Sequence, residues 1–162
     1  MIDFAQVARI VPVLHAGAIA AAPRELCGLL LLDAAAGWQA AVVRNVAARA
    51  SGFEFDGLDF ARVERAARGR GEHLAGYFHT HGDGSVTASA ADRVGVLWGE
   101  CMPCWRLIVG ITGDWALYDA RAAGWRVVVR GRGAECGPVS ADVGHSRDRT
   151  GGAGARWPAA RD

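Results

Sequence analysis

The chain has 162 residues, 51% hydrophobic and 22% charged, enough to bury one core but too few for separate cofactor and substrate lobes. Its 18 basic residues are all arginine and face 17 acidic ones, a formal net charge of +1, so no broad positive field is available to hold nucleic acid. Charges interrupt every apolar run before about eighteen residues, which excludes a helical membrane span, and Asp3, Arg9 and Pro12 break any export signal. The four cysteines are too few and too irregularly spaced for a disulfide framework, and a reducing cytoplasm is the expected setting.

The elements follow in chain order. Phe4, Val7, Ala8, Val11, Leu14 and Ala18 recur at three- and four-residue steps, the stripe of a helix lying on a core, which Pro23 ends. CGLLLLD then reads as a strand buried on both faces, and after a turn WQAAVVRNVA reads as its hairpin partner. LDFARVERAARGRG has helical spacing, a terminal glycine, and Asp56 or Asp59 as its N-cap. HLAGYFHTH is a third strand, and the loop GDGSVTA leads into a helix over ASAADRVGVLWGE, with Asp92 in its first turn. WRLIVGIT, WALYDAR and WRVVVR complete the sheet, so the order is αββαβαβββ, an α/β fold. The domain is expected to span residues 1–130. Residues 131–162, rich in Gly, Ala and Arg and without periodicity, read as a disordered tail.

His79 and His81 lie two apart near the end of a strand, so both imidazoles point the same way. Asp92, at the start of the following helix, can supply a third ligand. Two imidazoles and one carboxylate leave a fourth tetrahedral position for water, the pattern of a catalytic zinc site and not of a closed structural one. Taken singly, each residue has a plainer role. The histidines can be half-buried strand residues, Ser89 and Asp92 a helix-capping pair, and Glu25 a solvated residue near Pro23.

The whole string HTHGDGSVTASAAD fits His-x-His-x7-Ser-x2-Asp, and Glu25 stands just before CGLLLL. In these features the sequence resembles the JAMM (MPN+) family of zinc metalloproteases over about residues 1–130. It differs in having Thr80 and Gly82 where the family usually has Ser and Pro. The resemblance implies a single MPN domain with a deaminase-like mixed β-sheet flanked by helices. It also implies Glu25 as general acid/base, His79, His81 and Asp92 as ligands of one zinc ion, and Ser89 as an oxyanion donor. The implied substrate is a ubiquitin-like or sulfur-carrier β-grasp protein cut after its C-terminal Gly-Gly, by peptide or isopeptide hydrolysis.

Other readings compete. A non-catalytic interaction module of the same fold would be expected to have lost ligands. A phage-tail, cell-wall or RadC-like member would keep the metal site with another substrate, although RadC-like proteins lack the Glu-x-Cys-Gly-Leu-Leu start. A zinc deaminase would need a His-x-Glu and a Pro preceding the Cys pair, and neither is present. Cys101 and Cys104 form a CxxC without a second half-site, read as two thiols at a turn. Cys27 reads as a small buried residue. Trp98, Trp105, Trp115 and Trp125 read as core or interface anchors, and Arg62, Arg65, Arg68 and Arg70 as a solvated basic face. His15, His73 and His145 have no evident partner.

Overall fold

The computed structural model describes residues 3–35, 37–94, 104–121 and 125–138. The N-terminal stripe folds in two pieces: a 3₁₀ segment over Phe4–Arg9, capped by the Asp3 carboxylate, and helix α1 over Val11–Ala21. Pro12 explains the break. In the first turn of α1 its missing N–H costs nothing, whereas in one continuous helix from Phe4 its ring would meet the carbonyl four residues back. Val7, Ala8, Val11, Leu14 and Ala18 all remain buried, as the spacing predicts.

Strands β1 (Cys27–Asp33) and β2 (Gly37–Val43) form the expected antiparallel hairpin. Gly28 is required by close approach, since a Cβ there would lie 2.1 Å from the Ala41 carbonyl oxygen and 2.6 Å from the Phe78 ring. Helix α2 (Gly57–Gly69) starts at Asp56, whose carboxylate accepts the N–H groups of Leu58 and Asp59. Of the two candidate caps, Asp56 therefore holds the position and Asp59 sits in the first turn. Then follow β3 (His73–His81), α3 (Ala90–Val94), β4 (Trp105–Gly110), β5 (Asp114–Asp119), β6 (Arg126–Arg132) and β7 (Glu135–Pro138).

Among the described residues the strands form one sheet in the order β2-β1-β3-β4-β5-β6-β7. Neighbours are antiparallel except β3 and β4, which run parallel with His79 opposite Ile108. The mixed sheet and the predicted element order are found, with one strand added. β6 continues through Arg132 and β7 returns along it, so the sheet passes the expected boundary at residue 130. The extension is tied down: the Trp115 indole N–H donates to the Gly133 carbonyl at 3.1 Å, and Arg132 pairs with Asp114. ECGP shows no alternation because an edge strand this short is specified by its neighbour's backbone more than by its own pattern. The rest of the expected tail, residues 139–162, lies outside the described residues.

The 3₁₀ segment and α1 cover one face of the sheet around Leu30, Phe78, Leu107, Trp115 and Leu117. Fully buried side chains such as Leu30, Phe78 and Leu107 each contribute about 1.5–3 kcal/mol. On the other face α2 packs Val63 and Ala67 against Leu29, Leu31 and Tyr77, and beyond it Ala88, Ile108, Ala116 and Tyr118 form a smaller cluster. β3 alternates between the faces, sending Phe78 to the first and Tyr77, His79 and His81 to the second. The gap between α2 and the segment after β3 thus opens over the end of β3. No helix among the described residues is long and apolar enough to cross a membrane.

Candidate metal centre

At the end of β3 the side chains of His79, His81 and Asp92 converge, with their ligand atoms within 4.8 Å of one another. His79 Nε2 lies 3.1 Å from Asp92 Oδ1, His81 Nε2 lies 3.5 Å from Asp92 Oδ2, and the two Nε2 atoms are 3.0 Å apart. The ligands are largely buried: the side chains of His79 and Asp92 are 3% and 9% exposed. Phe53 stacks on the His79 imidazole, ring centroids 4.5 Å apart and planes 26° from parallel.

The hydrogen bonds decide what this cluster can hold. His81 Nδ1 lies 3.0 Å from the Ser85 carbonyl oxygen, which only accepts, so Nδ1 carries the hydrogen and the Nε2 of a neutral ring presents a lone pair. That lone pair faces a carboxylate and a second imidazole nitrogen. Such a set of donors is unfavourable by itself and is satisfied by a shared cation, so His79, His81 and Asp92 can bind a metal ion. The electrostatics of Asp92 and His79 agree, and His81, favoured in its charged form, would give up a proton to a metal ion. Burial works against ionised Asp92, but its bonds to His79, His81 and Ser89 hold the carboxyl well below the usual carboxylate range. Burial pushes His79 down, towards the neutral form that ligates. For His81 burial opposes the charge, but Asp92 outweighs it and raises the imidazole.

Glu25 and Ser89 line the same cavity of about 1170 Å³ as the three ligands, so the structure brings all five predicted residues together. Burial lifts the Glu25 carboxyl from 4.5 to about 7, with His81 lowering it and Asp92 and Asp83 raising it. Ser89 and Asp92 cap reciprocally: Ser89 N–H donates to Asp92 Oδ2 at 2.6 Å, and Asp92 N–H donates to Ser89 Oγ at 3.1 Å. The plainer reading of this pair therefore holds alongside any chemical role, because the capping exchange itself orients the Asp92 carboxylate.

Three residues that position the site were not singled out in the sequence for that role. Asn45 uses both donors and both lone pairs of its amide: Nδ2 to the carbonyls of Glu25 (2.8 Å) and Gly52 (3.0 Å), Oδ1 from the N–H groups of Ala47 (2.9 Å) and Glu54 (3.1 Å). One side chain thus fastens Glu25 to the loop that carries Phe53. Thr80 Oγ1 accepts the Leu26 N–H at 2.8 Å and locks the chain after Glu25 against β3. The Tyr118 hydroxyl donates to the Val86 carbonyl at 2.6 Å and accepts the Ala88 N–H at 3.2 Å, pinning the loop between His81 and Asp92 that Gly82 opens. Their partners lie 7 to 54 residues away except for the Asn45–Ala47 bond, and Thr80 alone had a local signal, its place between the histidines.

The remaining candidates separate. Cys27 is buried at the start of β1, as expected, and Cys104 precedes β4 as a free thiol, whereas Cys101 lies outside the described residues. Trp105 and Trp115 are core residues and Trp125 lines the cavity. Trp98 and His145 are outside the described residues. His15 does have a partner, with Nε2 2.9 Å from the Ile111 carbonyl. The basic face of α2 is largely neutralised, since Arg62, Arg68 and Arg70 pair with Asp59, Glu64 and Glu72.

A mixed α/β sheet with a two-histidine, one-aspartate cluster at the open end of its parallel strand pair defines a class of single-domain proteins able to bind one metal ion. The family described as prokaryotic homologs of the JAB domain matches residues 7–126, and the chain belongs to it. The family includes metal-dependent hydrolases. Protein DSY2949 from Desulfitobacterium hafniense, known from a solution structure, shares the fold: TM-score 0.61 at 19% identity, covering 74% of this chain and 85% of that one. AF2198, a JAB1/MPN domain protein from Archaeoglobus fulgidus, aligns with TM-score 0.49 at 16% identity, covering 70% of this chain and 87% of that one. No curated protein matches.

Proposed function

We propose that the chain is a zinc-dependent hydrolase of the JAMM type that cuts a peptide or isopeptide bond. Its substrate class is a ubiquitin-like or sulfur-carrier β-grasp protein, cut after a C-terminal Gly-Gly. The observation that carries the chemistry is the placement of His79, His81 and Asp92 in one largely buried cluster, with the Glu25 carboxyl lining the same cavity. The substrate class follows from the family resemblance. A cytoplasmic setting accords with the free thiols of Cys27 and Cys104, and neither nucleic acid nor membrane is part of the proposal.

Zinc held by His79, His81 and Asp92 would supply a Lewis acid that polarises the scissile carbonyl and acidifies a water. Glu25, half-buried in the same cavity, takes the proton from the attacking water and returns it to the departing amine. Ser89 Oγ already accepts the Asp92 N–H, which leaves its hydroxyl hydrogen to donate to the developing oxyanion. Ser85, through its carbonyl, fixes the tautomer of His81. Phe53 shields His79 from water.

The test joins metal analysis to mass spectrometry of a β-grasp protein bearing residues beyond its Gly-Gly. We expect about one zinc per chain and cleavage after the second glycine, with Glu25→Gln keeping the metal and losing turnover. If neither the purified nor the zinc-reconstituted protein cleaves that substrate or a general peptide mixture, the non-catalytic module is the correct reading.

A further inference from the structure

Glu25 stands outside the sheet. The ladder between β1 and β3 begins at the pairing of Cys27 with His79, so no strand partner fixes the backbone of Glu25. The connection from β2 to α2 does so instead. A bridge between Asn45 and Phe55, flanked by the Val46 N–H donating to the Glu54 carbonyl at 2.8 Å and the Asp56 N–H donating to the Arg44 carbonyl at 3.0 Å, closes that connection into a loop. Asn45 stands at its neck. From there its Nδ2 reaches the Glu25 carbonyl at 2.8 Å, while the Glu25 N–H donates to the Ala50 carbonyl at 3.3 Å. The next N–H, that of Leu26, goes to Thr80 Oγ1. The peptide unit joining Glu25 to Leu26 is thus gripped at its oxygen by Asn45 and at its nitrogen by the residue between the two histidines.

We infer that Asn45 is a positioning residue for the proposed reaction: it fixes the backbone of Glu25 so that the carboxyl stands at the metal cluster, and its loss slows turnover without releasing the metal. Three arguments lead there. A glutamate carboxyl is carried on several rotatable bonds, so a backbone free to swing beneath it would spread the carboxyl over many positions. The residue type is specific, because only an amide offers donors and lone pairs together and Asn45 uses both kinds. Aspartate would keep the bonds from the Ala47 and Glu54 N–H groups but lose both donations, and alanine would lose every bond. Lastly, these bonds all go to backbone groups and none to His79, His81 or Asp92, so the base and the metal ligands have separate supports. Displacing a reacting group by about 1 Å can cost roughly 100-fold in rate. The inference rests on the hydrolase reading of the same site.

Amide hydrogen exchange reads the hold on Glu25 without requiring turnover. In the zinc-loaded wild type the Leu26 amide, although outside the ladder, should exchange at least about a hundredfold more slowly than in an unfolded chain. Asn45→Ala and Asn45→Asp should each speed that exchange by about tenfold or more, with the Leu29 amide inside β1 unchanged. In cleavage of the β-grasp substrate both variants should lose about 10–100-fold in kcat, with KM and zinc affinity close to wild type. Arg24→Met removes the Arg24 donation to the Ala47 carbonyl, and so loosens the same loop without taking a bond from Glu25; its kcat should stay near wild type. Should neither Asn45 variant melt cooperatively, the protection of Leu26 in the wild type and the rate of Arg24→Met decide. An unprotected Leu26 amide in the wild type, a folded Asn45 variant with wild-type exchange or kcat, or zinc affinity that falls in step with kcat overturns the inference. So does an Arg24→Met protein as slow as the Asn45 variants, since the loop as a whole would then set the rate. A wild type that cleaves nothing removes the hydrolase reading, and exchange in the Asn45 variants then decides alone whether the amide holds Glu25.

Discussion

Replacing Glu25 by Gln should stabilise the metal-free protein at pH 8, and the size of the effect follows from the site. Burial is the main reason that the carboxyl titrates at about 7 instead of 4.5, with Asp92 and Asp83 adding to it and His81 opposing it. Below the lower value both folded and unfolded states are protonated and the group is neutral to stability. Between the two values the unfolded chain ionises while the folded one keeps its proton, so stability falls as pH rises, and above about 7 the loss is complete. At 1.36 kcal/mol per pH unit the full displacement corresponds to about 3 kcal/mol. Glu25 is only half-buried, and solvent screening reduces this to about 1–2 kcal/mol, or a rise in Tm of roughly 3–8 °C in a domain of this size. The assay is thermal unfolding of wild type and Glu25→Gln in chelator at pH 4 and pH 8. An amide that is no more stable at pH 8, or an advantage equally large at pH 4, would refute the claim that the protein holds a desolvated carboxylate ready for proton transfer.

Other consequences follow from the ligands and their supports. His79→Ala or His81→Ala should weaken zinc binding, read by competition with a chromogenic chelator, by more than the roughly 10–100-fold typical of losing an outer hydrogen-bond partner; near-wild-type affinity would mean that the cluster is not the metal site. Tyr118→Phe removes the hydroxyl that joins Val86 to Ala88, leaving the buried Ala88 N–H without its acceptor. The expected cost is about 1–3 kcal/mol in stability, with a parallel loss of zinc affinity, and unchanged melting and affinity would show that the loop is held by other means. A chain ending at Pro138 should melt like the full protein, whereas one ending at Arg130, without β7 and the bonds from Trp115 and Arg132, should melt several degrees lower. Indistinguishable melting of the two would make β7 dispensable.

Much of this protein is legible in sequence because its signals are local. Strand alternation alone puts His79 and His81 on one side, and the Ser89–Asp92 spacing alone predicts the reciprocal cap that the structure contains. Buried runs such as CGLLLLD and the stripe from Val7 to Ala18 mark their elements through apolar periodicity, which is a property of consecutive residues. The misses have the opposite character. The break before Pro12 turns on one ring and one carbonyl, and β7 exists because β6 offers it a backbone to pair with. The amide of Asn45 and the hydroxyl of Tyr118 act on distant partners that no spacing rule encodes. The sequence by itself therefore determined which groups are the candidates for the proposed chemistry and that His79 and His81 share a face. Only the tertiary structure decided that Glu25, 54 residues before His79 in the chain, shares a cavity with it. Burial in that cavity is what moves the Glu25 carboxyl to about 7, and desolvation is a property of what surrounds a group, which the chain acquires only on folding.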